Sequence, residues 1–454
     1  MFKKLSIAGA AVAAVLSAGS AFAISPAGPF AVSLTISGAS AFQNAVESEL
    51  SSGTSSICQA GTYNKFQSSN NDFRAYTCNL VAGVIGAGGE AAAIYYRGEG
   101  GSVFALAPLL GGTRFNGAAI PQPKRLALSN CPTSVTPGST TAVSCTTGVL
   151  SLATESSAPI AGLENAPSQL GFSDIEPTQF FGENYPSASA IPLLQPALNA
   201  AERNTLNAAA EVLVGQSFGV FVNSNVPTTN LSKTVIANIY QGVYADWSAV
   251  PNGNGSTVTT ASLPIKLCRR EQGSGTQVAA SIFFNDYPNT STPFASEANQ
   301  GALDVSLGGG GVVENAATSA VRTCISGNPG AIGNISAEAS DPAATGRKMI
   351  KIDGQGSVDP IANNLGAPTA AGQYAFWFEE VAIKSPSLSG AALALANKLI
   401  PVTKVQSSGP TTPNITFLSP FNAAVFPPAT PANKQPVSCL RRNKVSTGPA
   451  VWQC

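Results

Sequence analysis

Short runs rich in β-branched residues alternate along this chain with alanine-rich stretches of helical length, and this alternation restricts the fold more than any other feature. AVSLTISG (Ala31–Gly38), AAAIYYRG (Ala91–Gly98), SFGVFVNS (Ser217–Ser224) and SLPIKLC (Ser262–Cys268) read as strands. AFQNAVESEL (Ala41–Leu50), LSKTVIANIYQGV (Leu231–Val243), TQVAASIFF (Thr276–Phe284) and SGAALALANKLI (Ser389–Ile400) read as helices. Strands and helices in alternation predict an α/β fold with a mostly parallel sheet. A chain of 454 residues exceeds one ordinary core, so two domains are expected, and a hydrophobic content of 44% is enough to fill them. Two stretches read as insertions: Ser129–Gly148, with a cysteine near either end, and the polar turn Val250–Ser262. From Val405 onward the chain carries eight prolines and little helical periodicity, which reads as an extended tail.

The first 23 residues concern location. Lys3 and Lys4 precede an apolar middle and the small-x-small site Ala21-Phe22-Ala23, the pattern of a secretory signal peptide. No later stretch offers about 18 consecutive apolar residues, so a periplasmic or secreted protein is expected, meeting a membrane only through a partner. Eight cysteines in an exported chain point to disulfides. In order they are Cys58 and Cys78, Cys131 and Cys145, Cys268 and Cys324, Cys439 and Cys454; neighbour pairing is the simplest of roughly 105 connectivities.

Composition excludes several function classes. There is no histidine and no CxxC, which argues against a structural zinc site and against any cofactor held by imidazole. GQSFG (Gly215–Gly219) fits the nucleophile-elbow pattern, but a Ser-His-Asp triad cannot form without its base. Basic and acidic residues balance at 24 each, and removal of Lys3 and Lys4 leaves a slight acidic excess, unlike a nucleic-acid-binding chain. No G-K-[ST] occurs, so a P-loop nucleotide site is excluded.

Chemistry gathers instead at four turns that follow strand-like runs. In CRREQGSGTQVAAS, Ser274 and Gln277 have capping-box spacing, which puts Gly275 and Thr276 in the first turn of a helix with free N–H groups. A helix start is a ready anion site, and Arg270 just before it adds a bidentate fork for a tetrahedral oxyanion. SGASAFQNAV repeats the spacing at Ser40 and Gln43, with Ala41 and Phe42 in the first turn. YRGEGGSVF presents Gly101 and Ser102, and LGFSDIEP ends a strand with Ser173 and Asp174.

Together these turns resemble the periplasmic phosphate-binding proteins of ABC importers, class II of the substrate-binding fold. The family's R-x-D-G-S-G-T is met by Arg270-Glu271-Gln272-Gly273-Ser274-Gly275-Thr276. SGASAF resembles its G-x-G-A-T-F opening, YRGEGGS its Y-x-G-x-G-S-S turn, and GFSD its G-x-S-D. VIANIYQGVYADWSAV resembles its helix-and-Trp segment and NPGAIGNIS its P-G-A-I-G-Y strand, so the matches run in the family's order from residue 36 to about 380.

The resemblance implies two α/β lobes joined by two crossing strands, with the ligand between them. Lobe one would take residues 24–215 and 348–454, lobe two 216–347, and the crossings would fall at SFGVFV and KMIKID. It implies an anion held by the backbone of Ala41 and Phe42 with Ser40 beside them, by Gly101 and Ser102, and by Asp174, Arg270, Ser274, Gly275 and Thr276. The ligand implied is inorganic phosphate or a related oxyanion, and the partner an ABC permease or a sensor. Three positions depart from the pattern: Ala41 stands for Thr, Gly101 for Ser, and Gln272 for the Asp that braces the arginine. Glu271 is the expected substitute brace. The readings that follow are an exported binding protein, an extracellular structural or adhesive protein with altered ligand binding, and a phosphatase with an unusual nucleophile.

Overall fold

The computed structural model describes residues 24–406, apart from 112–113, 115, 137, 254, 288–291, 337–345 and 355–373, together with 417–418. The expected leader, residues 1–23, and the Cys439 and Cys454 pair lie outside the described residues.

The molecule is built on one large mixed sheet. Its strands are β1 (Val32–Gly38), β2 (Asn64–Gln67), β3 (Phe73–Asn79), β4 (Ala91–Arg97), β6 (Val143–Ser144), β8 (Leu170–Ser173) and β9 (Ala210–Asn223). There follow β10 (Asn230–Leu231), β11 (Lys266–Arg270), β12 (Val312–Asn315), β13 (Ala331–Ser336), β14 (Arg347–Ile352) and β15 (Trp377–Lys384). A separate ribbon pairs β5 (Lys124–Leu126) with β7 (Leu163–Asn165). The main path runs β12-β11-β13-β9-β15-β8-β1-β4-β3-β2-β6.

Strand β9 makes this one sheet and two lobes. Its first half, to Ser217, pairs with β15, which continues through β8 into the first lobe. Its second half, from Phe218, pairs with β13 and β14 of the second lobe. The single strand Ala210–Asn223 is therefore shared by both parts of the sheet. β14 pairs with β10 and with the second half of β9.

The expectation of a mostly parallel sheet is corrected. β1 pairs in parallel with β4 and β8, and β11 with β12 and β13, as crossover connections require. β9 and β15 run antiparallel to their neighbours, and β2-β3-β4 is a meander.

Helix α1 (Ala41–Ser51) and the C-terminal helix, here α6 (Gly390–Gln406), cover one face of the first lobe, burying Phe42, Val46 and Leu50 with Leu395 and Leu399. Helices α3 (Lys233–Tyr240), α4 (Gly275–Asn285) and α5 (Thr318–Gly327) serve the second lobe, and every residue of α4 is buried. Helix α2 (Ala200–Ala208) starts with a formed capping box: Asn199 accepts from Glu202 N, and Glu202 accepts from Asn199 N. Trp247 donates from Nε1 to Gly330 O at 2.9 Å, which joins the two supporting family-like segments directly.

Among the described residues three disulfides join sequence neighbours, Cys58–Cys78, Cys131–Cys145 and Cys268–Cys324, and the second closes the expected insertion. Among the described residues no helix is long and apolar enough to cross a membrane.

Candidate functional site

Arg270 is the last residue of β11, and four successive residues to that end are buried. The residue is 3% exposed, and its guanidinium is held by the opposite turn: Nε donates to Asn315 O at 3.1 Å, Nη1 to Thr318 Oγ1 at 3.1 Å and Nη2 to Ala316 O at 2.8 Å. An arginine has five N–H donors, so these bonds fix the plane of the fork and leave about two donors for another acceptor. Burial pulls its pKa down, opposed by Glu271, Asp174 and Asp72, but a guanidinium stays charged.

The brace expected from Glu271 is not formed. Glu271 Oε1 is buried without a hydrogen-bond partner, and burial raises the carboxyl's pKa. Backbone carbonyls and a threonine hydroxyl take the brace's role. Gln272 turns the other way: its Nε2 donates to Glu183 Oε2 at 2.6 Å and its Oε1 accepts from Ser187 N at 3.3 Å, tying this loop to the first lobe.

The facing wall comes from the turn after β4. Gly100 and Gly101 have φ of 77° and 67°, a left-handed pair that only glycine adopts without strain. The turn leads into a short 3₁₀ helix, Gly101–Ala105, whose Val103 N donates to Gly273 O at 3.0 Å. A Cβ on Gly101 would lie 3.3 Å from Ser274 Cα and 3.5 Å from Arg270 Nη2, so the two lobes touch here.

Asp174 completes the contact, directly after β8. Its N–H donates to Ser102 Oγ at 3.1 Å. A Cβ on Gly275 would lie 2.4 Å from Ser102 Oγ and 2.6 Å from Asp174 Oδ2. Only a glycine at the first position of α4 permits this approach. Gly275→Ala is expected to lower the unfolding free energy by about 1–3 kcal/mol, the usual cost of overpacking, because both neighbours are buried and cannot swing aside. Denaturant unfolding tests this; an unchanged midpoint would show that the loops separate freely.

Burial raises the pKa of Asp174 to about 6, and Arg270, Glu380, Ser102 and Thr276 hold it from rising further. Its Oδ1 is buried and meets no N–H or hydroxyl donor. The site thus offers N–H, hydroxyl and guanidinium donors around one acceptor.

Gly101, Ser102, Asp174, Arg270, Ser274, Gly275 and Thr276 are brought into one cluster drawn from both lobes. Ser40, Ala41 and Phe42 stand one turn further off, where a Cβ on Gly98 would lie 3.5 Å from Ser40 Cβ. Phe42 is a core residue, stacked on Phe172 with centroids 4.7 Å apart. Neither expected capping box forms. Ser40 already has helical angles, φ −66° and ψ −20°, instead of the extended backbone an N-cap needs to reach forward. Ser274 makes no capping bond, and Gln277 reaches along its helix to Ser281 Oγ at 3.4 Å.

Sequence reasoning missed Asn315, Ala316 and Thr318, which hold Arg270, and Asn334, whose Nδ2 donates to Thr276 O at 3.0 Å. It also missed Glu380. A signal existed there: Glu379 and Glu380 are adjacent in the otherwise apolar WFEEVAIK, and both are buried.

No protein-family model matches the chain, and no curated protein matches it. Among solved structures it is similar to an ABC-type phosphate transport receptor from Vibrio cholerae, at 16% identity over 56% of this chain and 80% of the receptor, with a TM-score of 0.35. It is similar to a high-affinity periplasmic phosphate-binding protein, PfluDING, bound with phosphate, at 16% identity over 63% and 84%, TM-score 0.36. It is likewise similar to a DING protein, at 18% identity over 60% and 83%, TM-score 0.36.

Proposed function

We propose that this chain is an exported binding protein that captures inorganic phosphate, or a similar proton-bearing oxyanion, between its lobes for uptake or sensing. The observation that carries this reading is the convergence of Arg270, Ser102, Gly275 and Thr276 around the acceptor Asp174. N–H, hydroxyl and guanidinium groups satisfy the oxygens of a tetrahedral anion, and charge-assisted bonds contribute roughly 1.5–3 kcal/mol each. Asp174 accepts the proton that mono- or dihydrogen phosphate carries. Sulfate at neutral pH has none to offer, so the same carboxylate repels it. Hinge closure through β9 and β15 is the working motion, with no covalent step. An ABC permease or a membrane sensor is the partner that would read the closed form.

The test is calorimetric titration of the mature protein with phosphate and with sulfate, after unfolding, dialysis and refolding with disulfides intact. Saturable binding near micromolar, about −8 kcal/mol, is expected for phosphate alone. Arg270→Ala is expected to weaken it by about 2–3 kcal/mol, roughly 30- to 150-fold, and Arg270→Lys by less.

A second reading has one observation in its favour. Arg270 already gives three bonds to its own protein and the loops at Gly101 and Ser274 touch, as in a scaffold that keeps the fold without a ligand. Absence of phosphate heat and of thermal stabilisation in folded, ligand-free protein would select this structural or adhesive role.

A further inference from the structure

Four arginines are buried among the described residues, and the chain treats them in two ways. Arg97 and Arg114 each donate two bonds to a buried carboxylate, Glu155 and Glu202. Arg269 and Arg270 form no ion pair among the described residues. They close β11 side by side, where successive side chains point to opposite faces of the sheet. Arg270 is held by two carbonyls and a threonine hydroxyl. Arg269 Nε donates to Arg270 O at 3.2 Å and Nη1 to Ala295 O at 2.7 Å. Carbonyls and hydroxyls orient a guanidinium but carry no charge to offset it, and a guanidinium keeps its proton.

The carboxylates around Arg269 are engaged with other groups. Glu314 stands beside it in the parallel register of β11 and β12, but Glu314 Oε1 accepts from Glu297 N at 3.4 Å. Glu297 Oε1 in turn accepts from Glu314 N at 2.9 Å. Glu183 Oε2 takes its bond from Gln272. On the other face, the oxyanion cluster brings its own acids: Asp174 lies against Gly275, and Glu271 follows Arg270 directly. Either carboxylate repels an anion, and the single charge of Arg270 cannot outweigh both. An unpaired buried cation is strongly unfavourable in a fold that elsewhere pairs its buried arginines bidentately. At the end of β11 two such cations stand together, next to the turn that leads into α4.

We propose that Arg269 is a specificity-determining residue of the oxyanion site: it does not touch the ligand but supplies the second positive charge that lets a cluster containing Asp174 and Glu271 attract an anion. This rests on the oxyanion reading of the cluster above. Arg270 meets the anion with the donors that its own turn leaves free. Arg269, bonded to the carbonyl of Arg270 from the opposite face, acts through its field, which a buried position shields from salt. The attraction scales with the charge of the ligand, so a dianion gains twice what a monoanion gains, and the site favours the more highly charged oxyanion.

The test measures binding of phosphate, sulfate and hypophosphite, a phosphorus monoanion, at mildly alkaline pH, where phosphate is a dianion. Wild type is compared with Arg269→Lys, Arg269→Gln and Arg269→Met, each checked for a native circular-dichroism spectrum. Arg269→Gln keeps an N–H donor for Ala295 O without the charge, and stands in if Arg269→Met does not fold. The neutral variants are expected to lose about tenfold in hypophosphite affinity and about 100-fold in phosphate affinity, twice the loss on a logarithmic scale. Arg269→Lys keeps the charge and is expected to stay within about threefold of wild type for both anions. A merely structural role would make Lys as harmful as Gln and reduce both anions by the same factor; either result overturns the proposal. Wild-type phosphate affinity in the neutral variants would also overturn it and leave the phosphate reading standing. If wild type takes sulfate in place of phosphate, with a loss on Arg269→Gln that Arg269→Lys restores, the role of Arg269 stands and the phosphate reading falls. If wild type binds none of the three anions, both fall.

Discussion

Glu155→Gln is expected to lower the unfolding free energy by about 3–5 kcal/mol. Arg97 Nη1 and Nη2 donate to Glu155 Oε1 and Oε2 at 2.5 and 2.6 Å, and both side chains are at most 1% exposed. The guanidinium lies 3.9 Å from the ring centroid of Phe104 and 5.4 Å from that of Phe73, so no water can take the place of the lost carboxylate. Glu99 comes within 3.6 Å of Arg97 Nη2, but burial lifts its pKa to about 8. At pH 7 it is mostly protonated and supplies little of the missing charge. The loss should be insensitive to salt, because a buried pair escapes screening. Arg97→Met in the same chain should recover a large part of it, since removing both charges leaves none buried alone. Urea unfolding of the two single variants and the double variant measures this; a cost below about 1 kcal/mol for Glu155→Gln would mean that the pair is solvated. Arg97 ends β4 directly before the Gly98–Ser102 turn, so this pair also anchors the first-lobe wall of the site.

Asp174→Asn is expected to do the opposite to stability while abolishing oxyanion binding. A carboxyl whose pKa is raised from 3.8 to about 6 in the folded protein keeps its proton at pH values where the unfolded chain has released it. The folded state then binds more protons, so stability falls as pH rises from about 4 to about 6 and remains lower above that range. The difference corresponds to about 3 kcal/mol at pH 7. The substituted amide carries no charge to bury, so the ligand-free variant should be about 2–3 kcal/mol more stable than wild type at pH 7 and no more stable near pH 3.5. Thermal or urea unfolding at both pH values checks this. An equal gain at the two, or none at pH 7, would show that the carboxylate is not strained in the folded state. A group that costs stability at neutral pH has the signature of a residue kept for binding.

Most of the site could be read from the sequence because its parts are local. Gly100-Gly101-Ser102, Ser173-Asp174 and Arg270 to Thr276 each encode a turn, and the turn sets the direction of its own N–H and hydroxyl groups whatever surrounds it. The expected strands and helices hold for the same reason: period and branching are properties of neighbouring residues. The capping boxes fail because S-x-x-Q spacing permits the bond but does not set the backbone of Ser40, which already has helical angles. The mostly parallel sheet fails because the directions of β9 and β15 depend on long-range connections, which no local pattern records.

By itself, the sequence determined the α/β class, the four donor-bearing turns and the identity of the central arginine and carboxylate, since each depends on residues within a few positions of one another. Only the tertiary structure decided which of those turns touch, that Arg270 is held by the carbonyls of Asn315 and Ala316 in place of Glu271, and that Gln272 ties the two lobes together. It also decided that Glu380 of β15 comes alongside Asp174, the residue after β8. These contacts join segments far apart in the chain, and they follow from strand register and from the exclusion of water at a crowded hinge. A one-residue slip of β15 on β8 would turn Glu380 to the other face of the sheet without changing a single letter of the chain.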